Sequence, residues 1–561
     1  MSQVNREVPP IWTTGWTDVL NTGTWRSAIP VHRKRPSPCR SACPVEGEIP
    51  VWVQLAREER HREAWLTLAL NNPMPAVTGR ICHHPCEGEC NRGRYDGAVS
   101  INALEQFLGD LALEQGWTLP EPQTGPEQRV AGLEQRVAVI GGGPAGLSCA
   151  YQLRLRGYRV TVFEARPELG GVLRYGIPRY RLPEAVLAGE IRRLLALGIE
   201  VSLNRQVTAA DLKELEEEYA AVFLAIGAGK AKLLPQFPAG DARVFDGLNF
   251  LDAVNTGSSP RLGRQVVVIG GGSVAMDAAR SARRLGSQVK VLALESKGSL
   301  PAQADEVREA LEEGVLLYDG AMVQEIGGEG ERLSLACCKV VLDTGAPQGV
   351  LRPVALPGTG FALEADNIIL AIGQDPDLSG WDEKLGRDKE LLAVDFRGMT
   401  SRRGVFAGGD AASYERYVSA AIGQGKKAAA GIAAFLSGEV WSEEPAITAG
   451  EVSFAEVNTF YFPVLPRQER ETLPVEARLG NFAEVKGGYG RAEAQLQAER
   501  CFSCGQCLEC DNCYYFCPDM AVVKDSSLAE HYRVLDQYCK GCGSCVEECP
   551  RGAVVLKEET R

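Results

Sequence analysis

Two cysteine runs near the C-terminus have a spacing that could bind iron–sulfur clusters. Each run reads C-x2-C-x2-C-x3-C-P, and the runs begin at Cys507 and Cys539. In paired [4Fe–4S] sites of this spacing, the fourth cysteine of each run binds the other cluster. Zinc, which also takes four thiolates, is the alternative occupant. The spacing predicts two clusters, one on Cys507, Cys510, Cys513 and Cys549 and the other on Cys539, Cys542, Cys545 and Cys517.

Five further cysteines lie near the N-terminus, in loops at Cys39–Cys43 and Cys82–Cys90. By themselves they predict only a metal or cluster site whose ligands converge from two loops. Cys501 and Cys504 continue the x2 spacing upstream of the first run. They have three open interpretations, as spare thiols, ligands in a shifted frame or ligands of another group. Because secreted disulfide scaffolds are short and this chain has 561 residues, clusters are favoured over disulfides.

The other three cysteines form no redox-active thiol pair. A flavin-linked disulfide reductase needs two neighbouring thiols, usually spaced C-x2-C or C-x4-C. Cys149 is isolated on a predicted helix, and adjacent Cys337 and Cys338 would point to opposite faces of a strand. No set of acid and base residues for carbon chemistry is evident. This is typical of enzymes in which cofactors supply the reactivity.

A glycine-rich turn after the predicted strand Val137–Ile140 has the pattern of a dinucleotide site. In G-x-G-x-x-G the first glycine permits a tight turn, the second lets the backbone approach a pyrophosphate, and the third lets helix pack on strand. The next predicted strand ends at Glu164, whose carboxylate can hold ribose hydroxyls. Spacing alone does not distinguish FAD from NAD here. The predicted site consists of Gly141, Gly143, Pro144, Ala145, Gly146 and Glu164.

A second turn of this kind follows Val266–Ile269, and the next predicted strand ends at Glu295. A carboxylate at this position accepts hydrogen bonds from the ribose hydroxyls of NADH and repels the 2′-phosphate of NADPH. The alternative is a solvated Glu295 with a phosphate bound by Lys297. We expect NADH to be preferred to NADPH, at a site made of Gly270, Gly272, Ser273, Ala275 and Glu295.

Composition and length exclude several classes of protein. The chain is far longer than the roughly 100–200 residues of one domain, so several domains are expected. A net charge of −13 argues against a generally basic nucleic-acid-binding surface. No apolar run approaches the ~20 residues that cross a bilayer, and Met1–Pro10 contains no apolar signal-peptide segment. We therefore expect a soluble, cytoplasmic protein.

Two further segments carry a family resemblance. Gly170–Pro178, which reads GGVLRYGIP, follows Glu164, and Gly404–Asp410 reads as a strand ending in Gly-Asp. With the glycine-rich turns, these segments resemble the FAD domain of the two-dinucleotide-domain flavoproteins. Over about residues 30–440 the chain resembles the small (β) subunit of glutamate synthase. The resemblance implies FAD at the first turn and adds four residues to its site, Gly171, Leu173, Gly409 and Asp410.

The same resemblance assigns the N-terminal cysteines. It implies a cluster held by three cysteines and a glutamate of the following helix, with Cys39 or Cys90 as the alternative to Glu105. Many relatives hold a second cluster in this region, using two cysteines shortly before Cys39, where this chain reads His32–Pro38. We therefore expect one cluster here, on Cys43, Cys82, Cys86 and Glu105.

These segments predict an α/β fold with two Rossmann-like domains, the NAD domain inserted in the FAD domain. An α-helical N-terminal Fe–S domain and a C-terminal α+β two-cluster ferredoxin domain flank them. Val51–Leu70 and Ile101–Glu114 are predicted helices, and Leu119–Gln128 is a predicted linker. The predicted boundaries are 1–130 for the helical head, 131–257 and 360–440 for the FAD domain, 258–359 for the NAD(P)H domain, 441–499 for a connector and 500–561 for the ferredoxin tail.

This combination implies an NADH:acceptor oxidoreductase, in which a hydride passes to FAD and single electrons pass through the clusters to or from a protein partner. Cys517-Pro-Asp-Met520 and Tyr538-Cys-Lys-Gly-Cys542 are similar to segments of anaerobic iron–sulfur flavoproteins, above all the flavoprotein partner of dissimilatory sulfite reductase (DsrL type). NADPH-preferring relatives usually have paired arginines where this chain reads Leu294-Glu-Ser296. The alternative partners are a 2-oxoacid:ferredoxin or benzoyl-CoA oxidoreductase, a soluble ferredoxin and a glutamate synthase large subunit. A non-catalytic wiring subunit and a homodimer also stay open.

Overall fold

The computed structural model describes residue 23 and residues 26–120, 135–237, 240–258, 260–328, 332–343, 352–381, 385–439, 450–528 and 531–559. Met1–Pro10, most of the predicted linker and residues 441–449 of the predicted connector lie outside these ranges. Within the described ranges, no helix is both long and apolar enough to span a membrane.

The first parallel sheet, called the flavin sheet, supports the first glycine-rich turn. Its central strand is buried, as expected for a parallel strand covered on both faces. Helices Pro144–Leu155 and Val418–Ser437 pack against each other beside it. The remaining helices of this region are Val172–Tyr175, Glu184–Leu195 and Ala209–Glu218. The strands lie in the order Val405–Ala407, Ala221–Leu224, Arg136–Ile140, Arg159–Phe163 and Glu200–Ser202.

The second parallel sheet, called the nucleotide sheet, supports the second turn. Its order is Leu316–Tyr318, Gln288–Leu292, Gln265–Ile269, Asn367–Leu370 and Val244–Asp246. Helices Gly247–Asn255, Ser273–Arg284 and Ala304–Glu312 belong to it, with a 3₁₀ turn at Lys297–Ser299. An antiparallel sheet follows, with strands Ala321–Gly327, Leu333–Leu342, Pro353–Ala355 and Phe361–Ala365.

The predicted boundaries of the inserted domain, 258 and 359, are too narrow. Strand Val244–Asp246 pairs with Asn367–Leu370, which in turn pairs with the strand before the second turn. Both strands lie in segments that the prediction gave to the FAD domain. The insertion therefore begins and ends on neighbouring strands of its own sheet. Short pairs at Lys230–Ala231 with Gln374–Asp375 lie just outside these crossings, and Arg387–Asp388 pairs with Leu391–Leu392.

The head is helical, as predicted, and its helices pack around a buried core that includes Trp52 and Trp65. The predicted helix Val51–Leu70 is in fact two helices, because Glu59 has a left-handed φ of +58° that interrupts it. The described helices of the head are Pro38–Ser41, Ile49–Arg57, His61–Ala69, Pro75–Ile81, Pro85–Gly88 and Ile101–Glu114, with a 3₁₀ turn at Asn91–Arg94.

The tail has short helices at Asn512–Tyr515 and Ser544–Glu547 and a hairpin of Val522–Lys524 with Tyr532–Val534. Its last strand, Val554–Glu558, pairs antiparallel with Ala28–His32. That N-terminal strand therefore belongs to the tail sheet, although the sequence interpretation gave residues 1–130 to the head. Backbone pairing between distant segments leaves no local pattern that could have predicted it.

Residues 450–499 of the predicted connector form a strap across the head. Its helix Arg491–Glu499 packs on head helices Ile49–Arg57 and Ile101–Glu114. Arg470 donates to the side chains of Gln106, at 2.7 Å, and Asn102, at 2.5 Å. The other short elements of the strap are 3₁₀ turns at Phe454–Glu456 and Thr459–Tyr461 and the helix Val475–Arg478. Cys501 follows this helix closely in sequence and packs against the core of the head.

Candidate functional site

A cavity of about 570 Å³ opens at the first glycine-rich turn, on the flavin sheet. Leu173 is buried in the core and does not line it, and neither does Gly146. On the turn of chain next to Leu173, Val172 and Tyr175 line the cavity instead. The predicted residues that do line it are Gly141, Gly143, Pro144, Ala145, Glu164, Gly171, Gly409 and Asp410.

The three glycines of this turn differ in backbone conformation and in the space around them. Gly141 has a φ of +106°, in the region that favours glycine. A Cβ on Gly146 would lie 1.9 Å from the carbonyl oxygen of Gly141, so helix and strand could not approach as they do. A Cβ on Gly143 would meet only the Cα of Gly171, at 3.9 Å, and would project into open space. That open space at the start of helix Pro144–Leu155 fits a pyrophosphate.

Glu164 is held rigidly at the end of its strand. Its two carboxylate oxygens accept hydrogen bonds from the backbone N–H groups of Gly142 and Arg166, each at 2.8 Å. Each oxygen keeps a further lone pair, which can accept from a ribose hydroxyl. On the opposite side, the backbone N–H of Gly409 donates to Gln424, and burial raises the pKa of neighbouring Asp410. The fixed carboxylate acceptor and the open helix N-terminus together fit FAD.

The second turn repeats this construction. Gly270 has a φ of +137°, and a Cβ there would lie 2.1 Å from the carbonyl oxygen of Ala371. Glu295 is half-buried, and one of its carboxylate oxygens would be 2.8 Å from a Cβ on Gly271. Gly272 has no atom within 4 Å of such a Cβ, which again leaves room for phosphate. Ser273 begins the helix, on which Ala275 is fully buried.

The head cavity, of about 40 Å³, is lined by three of the head cysteines and Glu105. Oε1 of Glu105 accepts hydrogen bonds from Asn72, at 2.5 Å, and Thr78, at 2.8 Å, and burial raises its pKa to about 7. No sequence pattern pointed to Asn72 or Thr78, since neither belongs to a motif. The predicted ligands that line the cavity are Cys43, Cys82, Cys86 and Glu105, whereas Cys39 and Cys90 do not.

The tail cysteines surround two small cavities. One of about 20 Å³ is lined by Cys507, Cys510, Cys513 and Cys549, and one of about 10 Å³ by Cys517, Cys539, Cys542 and Cys545. These are the two sets that the exchange of fourth cysteines predicts. Burial raises the pKa of the Cys545 thiol to about 12, and Nε2 of His32 lies 3.4 Å from Sγ of Cys513.

Each of these cysteine sets lines its own small cavity. Among the described residues, no three His, Cys, Asp or Glu side chains close around a single metal ion. The four ligands of a [4Fe–4S] cluster each bind a different iron and therefore lie farther apart than ligands of one ion.

One helix, Val418–Ser437, connects the flavin cavity with the head cavity. Near its N-terminus, Ser419 lines the head cavity and Ala421 lines the flavin cavity. Further along, Nζ of Lys426 donates to the carbonyl oxygen of Val45 and to Asn71, each at 2.8 Å. Residues within the first turn of this helix therefore line both cavities.

Residues 135–425, which are about half of the chain and contain both turns, match the family described as pyridine nucleotide-disulphide oxidoreductase. The chain belongs to this family. Residues 33–117 match an iron–sulfur domain described as dihydropyrimidine dehydrogenase domain II, 4Fe-4S cluster, and residues 533–555 match a 4Fe-4S binding domain. The family thus supports the α/β fold with FAD, NAD(P)H and [4Fe–4S] clusters at both ends of the chain.

Several curated proteins are similar in sequence to this oxidoreductase over most of its length. It is 36% identical to the NADP(+)-dependent formate dehydrogenase subunit beta of Moorella thermoacetica, over 83% of this chain and 70% of that protein. It is 33% identical to the NADPH-Fe(3+) oxidoreductase subunit beta of Geobacter sulfurreducens, over 85% and 77%. It is 34% identical to the glutamate synthase [NADPH] small chain of Azospirillum brasilense, over 74% and 89%. The chain is an NAD(P)H-dependent electron-transfer oxidoreductase that uses FAD and iron–sulfur clusters.

The flavin cavity of this family member has no cysteine among its described lining residues. Cys149 is fully buried, and burial raises the pKa of its thiol. Cys337 and Cys338 are buried on strand Leu333–Leu342 of the antiparallel sheet. That no redox-active thiol pair serves the flavin stays a prediction from the sequence.

Proposed function

We propose that this oxidoreductase transfers electrons between NADH and a redox protein, and that dissimilatory sulfite reductase is the partner. The observation that carries the electron path is the helix Val418–Ser437, whose Ser419 and Ala421 border the head cavity and the flavin cavity. The choice of sulfite reductase rests on the resemblance of the tail motifs.

The abundance of free cysteines supports a reducing, cytoplasmic location.

The proposed preference for NADH rests on Glu295. Its carboxylate lies against Gly271, at the point where an adenosine ribose would sit beside the turn. A 2′-phosphate would approach this negative charge, whereas ribose hydroxyls would donate to it. The relatives named above carry NADP(+) or NADPH in their names, and the proposed preference for NADH departs from them on the charge of Glu295 alone.

The protein would bind, orient and insulate the cofactors. Bound FAD would accept a hydride, and the clusters would carry single electrons. Gly143 and Gly272 leave room for the two pyrophosphates, and Glu164 positions the flavin's adenosine ribose through its fixed carboxylate. Glu105, in its buried hydrogen-bonded position, and the cysteines of the head and tail would hold the clusters.

The tail supplies the surface at which a partner would dock. Cys510 and Cys542 are the exposed members of their cysteine sets. Beside Cys510, Tyr461 donates to Glu548 at 2.5 Å and contacts Phe460, whose side chain is 88% exposed. An exposed aromatic side chain next to an accessible cluster site is suited to a redox protein. Phe460→Ala would weaken transfer to the partner and leave flavin reduction by NADH unchanged.

Anaerobic affinity purification from the native cells, with identification of bound proteins by mass spectrometry, tests the partner. Recovery of sulfite reductase subunits supports the proposal. Recovery of a formate dehydrogenase, an amidotransferase or a thiamine-dependent oxidoreductase contradicts it and assigns the chain to that complex. Rapid bleaching of the bound flavin by NADH in the isolated protein excludes a non-catalytic wiring subunit.

A further inference from the structure

Four cysteines outside the three sets described above meet where the head joins the tail. Cys39 lies on the head helix Pro38–Ser41 and Cys90 lies just before the 3₁₀ turn Asn91–Arg94, while Cys501 and Cys504 come from the start of the tail. Cys39 and Cys504 are 8% exposed, while Cys90 and Cys501 pack on or around the head core. The meeting point joins segments more than 400 residues apart in sequence.

These four thiols cluster together, each one near the other three. Burial raises the pKa of the Cys39 thiol, and proximity to Cys90, Cys501 and Cys504 raises it further. The thiol of Cys90 likewise raises the pKa of both tail thiols. Cys501 and Cys504 also influence each other, so that every one of the four lies close to the other three.

The backbone around this group is held by direct contacts between head and tail. The N–H of Arg35 donates to the carbonyl oxygen of Gly505 at 3.1 Å. The guanidinium of Arg92 donates to the carbonyl oxygen of Arg500 at 2.9 Å. Fully buried Arg500 in turn donates to the carbonyl oxygens of Gly97, at 2.6 Å, and of two neighbouring residues. The four cysteines are therefore positioned before any ligand binds.

Donors point at the sulfur atoms of this group. The N–H of Ser503 lies 3.3 Å from Sγ of Cys501, and Nδ2 of Asn91 lies 3.5 Å from Sγ of Cys504. The hydroxyl of Ser37 lies 3.1 Å from Sγ of Cys39. Hydrogen bonds to sulfur stabilise the thiolate form that binds iron and tune the cluster potential. Free buried thiols need no such donors.

We propose that Cys39, Cys90, Cys501 and Cys504 bind a fourth [4Fe–4S] cluster that joins the head to the tail. Two cysteines of the tail stand in for the pair that the head lacks before Cys39. The proposal assigns Cys501 and Cys504 the role that their spacing left open. Because it concerns metal content, it does not depend on which partner or which nicotinamide nucleotide the chain uses.

This site lies between the head cavity and the first tail set. On the head side, the nearby thiol of Cys39 contributes to the raised pKa of the Cys86 thiol. On the tail side, the guanidinium of Arg551 lies near Cys501, Cys510 and Cys549. Without a cluster at this site, the region between the head cluster and the tail clusters would contain no redox centre. With it, the cysteine sets form a continuous series.

Iron and sulfide content of the anaerobically purified full-length chain tests the proposal. Wild-type protein is expected to hold about sixteen iron atoms, four for each of four clusters. The paired variant Cys501→Ala/Cys504→Ala is expected to hold about twelve, with unchanged FAD content. A wild-type content of about twelve, or zinc in place of the missing iron, would overturn the proposal.

A comparison of variants shows whether head and tail ligands share one cluster. Cys39→Ala/Cys90→Ala is expected to lose the same four irons, and the quadruple variant is expected to lose no more than either pair. Additive losses would mean that the two pairs serve separate groups, which contradicts the proposal. Cys539→Ala/Cys542→Ala is the matched control, because it removes the irons of the second tail set. Its electron paramagnetic resonance spectrum is expected to lose a different signal from the one that the other two pairs lose. Should a variant fail to fold, the iron content of the wild type still decides.

Discussion

We expect Glu295→Gln to shift nucleotide preference towards NADPH by about 30-fold. The substitution keeps a carbonyl oxygen that can accept from a ribose hydroxyl and removes the negative charge beside Gly271. Any 2′-phosphate bound at this turn would be relieved of repulsion, while NADH would keep most of its contacts. The change therefore isolates the charge of Glu295 from its shape.

The magnitude follows from the position of the carboxylate. Glu295 is half-buried, so an effective dielectric constant of about 40 is appropriate, and a phosphate at the ribose would lie about 5 Å away. Each phosphate charge then costs about 1.7 kcal/mol, and a phosphate carries close to two charges. Screening at physiological ionic strength reduces the total to about 2 kcal/mol. This corresponds to a factor of about 30 in affinity.

Anaerobic stopped-flow reduction of the bound flavin measures this preference. The ratio of kcat/KM for NADH to that for NADPH is determined in wild type and in Glu295→Gln at two salt concentrations. The difference between the two proteins is expected to shrink at high salt, since it is electrostatic.

Glu364→Gln provides the matched control. It removes the same charge from strand Phe361–Ala365 of the antiparallel sheet, where Glu364 lies 3.4 Å from Arg332 at the surface. Its nucleotide ratio is expected to equal that of wild type. An unchanged ratio in Glu295→Gln, or an equal change in both variants, would refute the role of this carboxylate.

Three further predictions concern the folded framework. Gly143→Ala is expected to fold but lose FAD, because its Cβ would project into the open space proposed for the pyrophosphate, whereas Gly146→Ala is expected to lower the melting temperature, because its Cβ would lie 1.9 Å from a carbonyl oxygen. Flavin absorbance and thermal unfolding distinguish the two variants, and equal effects in both would contradict this prediction. Burial raises the pKa of Glu190 from 4.5 to about 7. Its folded pKa is the higher one, so stability is lost as pH rises between about pH 4.5 and about pH 7, by at most about 3 kcal/mol. Glu190→Gln should make the loss of stability across this window smaller than in the wild type, and an unchanged slope would contradict the assignment to Glu190. Glu313→Gln removes a buried partner of Arg280 and Arg284 and is expected to cost about 3–5 kcal/mol, seen as a lower denaturation midpoint, which a wild-type midpoint would contradict.

Features built from residues close together in the chain could be predicted without the structure. Each glycine-rich turn lies between a strand and a helix that adjoin it in sequence, so glycine spacing and the acid at the next strand end describe the turn. Glu164 and Glu295 both lie against their turns as that pattern requires. The tail runs behave similarly, because the exchange of their fourth cysteines is a property of the spacing.

Features built from distant segments needed the tertiary structure. The inserted domain extends from Val244 to Leu370 because strands Val244–Asp246 and Asn367–Leu370 pair with each other in the nucleotide sheet. Ala28–His32 joins the tail sheet, although it lies next to the head in sequence. Asn72 and Thr78 hold Glu105 in place through contacts that no motif describes.

The cysteines illustrate the division most clearly. Their type and spacing predicted that the chain carries iron–sulfur clusters, which the family matches support, and predicted which tail ligands belong together. Only the packing of strap and head decided that Cys501 and Cys504 face Cys39 and Cys90. The physical reason is that local spacing fixes which side chains share a turn, whereas the convergence of separate turns depends on the burial of the helices and strands that carry them.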